Sequence, residues 1–119
     1  MIPKRKTTSE DFIIYQNEVI RLIDKFGIDD WKIYFEQRDC DESQAELVTD
    51  CVNRVCTFVL ANEFTEGESV ENSAFHEVCH LLVGDLTDLN YYRWVTQNEV
   101  IKASETTARK LQSILKELI

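Results

Sequence analysis

The chain contains two histidines, His76 and His80, and both fall in the stretch AFHEVCHLL at residues 74–82. Positions i and i+4 of a helix share a face with Cβ atoms about 5–6 Å apart, so both imidazoles can reach one ion. Glu77 lies about 100° around the helix from His76. That is too far round to share the ion comfortably, but well placed to hold a water beside it as general base. The pattern is H-E-x-x-H, and zinc suits it, because zinc polarises a carbonyl and brings its water to a pKa of about 7. The other reading is two polar residues on the surface of a helix whose opposite side is core.

Two imidazoles leave a zinc site incomplete. With no third histidine in the sequence, the next ligand must be Asp, Glu or Cys. The last segment, TQNEVIKASETTARKLQSILKELI, offers Glu99 and Glu105. Thr96-x-x-Glu99 is a capping box, which employs Glu99 at the helix start, and Glu99 also points away from the apolar stripe of Val100, Ala108, Leu111, Ile114, Leu115 and Leu118. Glu105 lies on the border of that stripe beside Ile101, Ala108 and Gln112, where its carboxylate can be held against a packed histidine helix. Its alternative is an i,i+4 ion pair with Arg109, worth a few tenths of a kcal/mol on a surface. The spacing of Cys40, Cys51, Cys56 and Cys79 matches no paired C-x-x-C knuckle, so buried free thiols are expected. Cys79 would intrude on the ion only if the helix were rotated.

Several elements must position these groups. On a helical wheel from Ala74, the residues Phe75, Val78, Cys79, Leu81, Leu82 and Leu86 form one apolar arc, and His76, Glu77, His80 and Gly84 occupy the remaining third. This helix begins near Ser69 to Ser73 and ends beyond Gly84, where Asp85 and Asp88 either stop it or hold a ligand imidazole from behind. Upstream, residues 8–26 carry Phe12, Tyr15, Val19, Leu22, Ile23 and Phe26 at helical spacing, with Thr8 or Ser9 as N-cap and Gly27 as stop. WKIYFEQRD at residues 31–39 alternates as a half-buried strand. Two further strands are expected near 44–50 and 54–61, with Asn53 close to a tight connection, and EFTEGESVEN supplies turn residues. The order is helix, three strands, helix, helix: one α+β domain over residues 1–119, a length suited to a single core.

A net charge of −9 with 22 acidic against 13 basic residues sets the averaged field against phosphate backbones and anionic lipid, so no nucleic acid or membrane partner is expected. The one basic cluster, Lys4 to Lys6, reads as a solvated tail. No apolar run approaches the ~20 residues of a membrane span and no signal peptide is visible, so a cytoplasmic location is expected.

FHEVCHLLVGDL followed by ETTARKLQSIL resembles the gluzincin class of zinc metallopeptidases, in which a helix after the H-E-x-x-H helix supplies a glutamate ligand. More narrowly, it resembles small single-domain metallopeptidases of phages and prophages. The likeness runs from about Trp31 to Leu118, with the histidine helix as its specific part. It implies that His76, His80 and Glu105 bind zinc, that Glu77 is the catalytic base, and that the substrate is a protein or peptide. It also implies a minimal zincin-like domain, whose three-stranded antiparallel sheet offers an edge strand to an extended peptide. Two departures stand out. Cys79 is unusual within the motif, and no residue plainly matches the Tyr or His that stabilises the oxyanion; Tyr91 and Tyr92 are candidates, or else aromatic core residues. These departures keep open the alternative of a non-catalytic, zinc-stabilised protein-binding module.

Overall fold

The computed structural model describes residues 3–84 and 97–116. In chain order the elements are β1 (Lys4–Lys6), α1 (Ser9–Lys25), β2 (Lys32–Arg38), β3 (Ala45–Asp50), β4 (Val55–Ala61), β5 (Glu63–Thr65), α2 (Val70–Leu82) and α3 (Gln97–Lys116). The class is α+β, with helices packed on one another and beside the sheet.

α1 starts where a side chain can satisfy its free amides. The Thr8 hydroxyl accepts from the Asp11 amide at 3.1 Å, and Asp11 Oδ2 accepts from the Thr8 amide at 2.8 Å, a reciprocal capping box. The helix ends at Phe26, followed by Gly27 in the left-handed region at φ +67°, where a side chain is disfavoured. Its inner face is the expected one: Tyr15, Val19, Leu22 and Ile23 are buried, and α1 packs along α2.

The three central strands lie where the alternation placed them, but their arrangement differs from an antiparallel sheet. The order is β2-β4-β3, with β2 parallel to β4 and β3 antiparallel to it. The reason lies in composition. β4, VCTFVLA, is almost wholly buried, whereas β2 alternates half-buried and exposed residues and β3 becomes exposed along its length. The most apolar strand takes the centre, where it is covered by ladders on both sides, and inserting β4 between β2 and β3 makes the first pairing parallel. Phe58 is the middle of a row across the sheet, opposite Phe35 on one side and Leu47 on the other. The turn from β3 into β4 is braced at Asn53, whose backbone and side-chain amides donate to Asp50 at 3.1 and 2.8 Å.

Lys4 to Lys6 are not a solvated tail. They form β1, antiparallel to β5, which itself falls in a stretch expected to be turn only. Lys4 and Lys6 face solvent while Arg5 turns inward, stacking over the fully buried Phe64 and donating to Asp11 at 2.7 Å. No disulfide joins the four cysteines, but only Cys56 and Cys79 are buried; Cys40 and Cys51 are half-exposed. Leu82, expected in the apolar arc of α2, is 37% exposed, although its neighbours Leu81 and Val83 are buried. No helix among the described residues is long and apolar enough to cross a membrane.

Candidate metal centre

α2 opens on Ser69, whose hydroxyl accepts from the Asn72 amide at 3.1 Å. Its core face holds Ala74, Val78 and Cys79 with no exposure at all, so Cys79 points away from the histidines and into the core. α3 packs against α2 through a small residue: Ala108 is fully buried, and its short side chain admits close approach of the two helices. Glu105 lies three residues before Ala108, on the same face one turn earlier, and is thereby delivered to the histidine edge of α2.

The three groups meet there. Glu105 Oε1 lies 3.2 Å from His76 Nε2, and Oε2 lies 2.9 Å from His80 Nε2. The two Nε2 atoms are 3.2 Å apart, with the rings nearly perpendicular at 83°. All three donor atoms fall within 4.8 Å of one another, so these residues can hold a metal ion. Ligands at 2.0–2.2 Å around a tetrahedral zinc stand roughly 3.3–3.5 Å apart, so the donors fit an ion after small outward shifts. Burial holds His80 below the ordinary histidine range, and the neighbouring His76 ring reinforces this, against an opposing pull from Glu105. A neutral imidazole is the form that ligates.

Glu77 departs from the wheel. The wheel groups it with the histidines outside the core arc, yet it is only 7% exposed. The wheel knew only α2; β3, packed beside that helix, takes the water away. Burial pushes the Glu77 carboxyl up to about 8, and the carboxylates of Glu105 and Glu46 add to the shift. A carboxyl in the neutral range is suited to taking up and giving back a proton.

Glu105 also makes the ion pair that the sequence offers as its other reading, since Arg109 Nε reaches Oε1 at 3.5 Å. Two residues gain partners that the sequence did not give them. Gln112 Oε1 lies 2.9 Å from His76 Nδ1, and Gln112 Nε2 donates to Asn72 Oδ1 at 3.3 Å. A signal existed: Gln112 is two turns beyond Glu105 on the same face of α3, and Asn72 is one turn before His76 on α2. Asp85, Asp88, Tyr91, Tyr92 and Thr96 lie outside the described residues, as do the side chains of Glu99 and Val100.

The centre floors a cleft of about 910 Å³, bounded by β3, α2 and α3. Among the described residues lining it are four glutamates, Glu46, Glu68, Glu77 and Glu105, and one arginine, Arg109, a balance that attracts cations. No family model matches the chain, and neither a curated protein nor a solved structure matches it.

Proposed function

We propose that the chain is a zinc-dependent metallopeptidase of minimal zincin-like plan, similar to the gluzincins, with His76, His80 and Glu105 as the residues that hold zinc and Glu77 as general base. The observation that carries this reading is the convergence of both Nε2 atoms and one carboxylate within 4.8 Å, beside a shielded carboxyl in an open cleft. Two nitrogens and one carboxylate oxygen, with further positions open, is the donor set of a catalytic zinc site. A bound zinc supplies Lewis acidity, which polarises a substrate carbonyl and acidifies a water.

The protein's own groups do the rest. Glu77 accepts a proton from the attacking water as its oxygen adds to the carbonyl carbon. It then returns that proton to the amide nitrogen as the C–N bond breaks. β3 supports a peptide substrate, because it is an edge of the sheet and its residues Ala45 to Leu47 line the cleft; an extended chain can pair with such an edge.

Elemental analysis and a Glu77→Gln variant test the proposal together. About one zinc per chain is expected in both proteins, with cleavage of an unfolded protein substrate falling roughly 10²–10⁴-fold in the variant. Zinc in both with cleavage in neither would favour the zinc-stabilised binding module. A wild-type chain that neither retains nor takes up zinc would overturn both.

A further inference from the structure

The polar groups behind His76 form a directed chain. Lys116 Nζ reaches Asn72 Oδ1 at 3.2 Å, and an ammonium can only donate, so this atom of Asn72 is its oxygen. Gln112 approaches the same oxygen at 3.3 Å, so it does so with its NH₂ group. Its other end, the amide oxygen, therefore faces His76 Nδ1 at 2.9 Å. That oxygen has no hydrogen to give, so the hydrogen of this bond belongs to Nδ1.

A neutral imidazole carries one N–H, which leaves Nε2 with the lone pair. The lone pair points at Glu105 Oε1 and His80 Nε2, each 3.2 Å away. The His76 acceptor nitrogen, the His80 Nε2 and an anionic oxygen face one another across a space that suits a cation. The competing tautomer, with hydrogen on Nε2, would instead donate to Glu105 and close the same space with a hydrogen bond inside the protein.

We propose that Gln112 is a positioning residue that selects the Nδ1–H tautomer of His76 against the pull of Glu105, keeping Nε2 free to ligate. The proposal rests on the zinc reading for its purpose, though not for its geometry. Glu105, Gln112 and Lys116 share one face of α3 at steps of two turns and one turn, so this helix carries the ligand, the group that orients a second ligand, and the anchor for that group. On α2, Asn72 and His76 are likewise one turn apart. Removing an outer partner of a metal-bound histidine characteristically weakens binding 10–100-fold.

The test uses the full chain. Long-range ¹H–¹⁵N spectra of the metal-free protein, at a pH where both rings are neutral, assign each imidazole tautomer. His76 is expected as Nδ1–H in the wild type and in Gln112→Glu, which retains an acceptor, and to shift toward Nε2–H in Gln112→Met. Zinc affinity, by competition with a chromophoric chelator, is expected to fall 10–100-fold in Gln112→Met and to stay within about threefold of wild type in Gln112→Glu. An Nε2–H tautomer in the wild type overturns the proposal without any variant having to fold, as does a Gln112→Met protein with unchanged tautomer and affinity. A wild type that binds no zinc yet loses its Nδ1–H tautomer in Gln112→Met upholds the positioning role and defeats the metallopeptidase reading instead.

Discussion

Among the described residues that line the cleft, Arg109 alone brings a positive charge. Its guanidinium, 72% exposed, touches the same Glu105 oxygen that faces His76, and so competes with any cation for that carboxylate. Arg109→Gln is expected to tighten zinc binding by about two- to fivefold at low ionic strength, the difference shrinking in 0.5 M salt as exposed charges are screened. Calorimetric titration at two salt concentrations checks it, and weaker binding in the variant would show that Arg109 supports the centre. At this scale the sequence was legible where local geometry is sufficient. His76 and His80 declare themselves through a spacing that any helix converts into proximity, and Glu105 through its place on the border of an apolar stripe. Gln112 did not, because a neutral amide acquires a role only from the atoms it meets, and those belong to another helix. The burial of Glu77 was hidden for the same reason.

Among the elements, the junction of β1 with α1 rests on a single side chain, Asp11. Asp11 caps α1 and also receives Arg5 from β1, so one carboxylate joins two elements. Asp11→Ala is expected to cost about 1–2 kcal/mol at pH 7, read from urea denaturation. The Arg5 guanidinium and the Thr8 amide hold the Asp11 carboxyl below its usual range. The stabilisation is therefore complete above the unfolded value of about 3.9 and is lost as pH falls through the lower native value. Wild type and variant should thus converge in acid; a gap that persists there would assign the effect to packing. The helices and the three long strands were legible because their apolar periodicity is internal to each segment. β1 and β5 were not: three residues hold too little pattern, and Lys-Arg-Lys becomes a strand only once Glu63 to Thr65 are beside it. The parallel pairing of β2 with β4 was hidden too, although the apolar run at Val55–Ala61 carried the hint that this strand is central.

For the molecule as a whole, the proposed ion would tie α2 to α3. A ligand that binds only the folded chain stabilises it by RT ln(1 + [L]/Kd), or about 2.7 kcal/mol at a hundredfold excess over Kd. Chelation is expected to lower the melting temperature by roughly 10 °C at that excess, since 1 kcal/mol moves a chain of this size by several degrees. Glu105→Gln should melt near the chelated wild type and respond little to chelator. Equal melting with and without metal would detach the ion from the fold.

The sheet pairings carry one more consequence, for the order of events as the chain is made. Among the described residues β1 finds its ladder in β5 alone, and β2 in β4 alone, so both early strands depend on partners between Val55 and Thr65. A nascent chain leaving the ribosome can coil α1 from its own capping groups and hydrophobic face, but no strand before it or just after it can be matched until that later stretch emerges. The hairpin of β3 and β4 is the local seed, and β2 joins it from behind, having waited through the synthesis of its own neighbour.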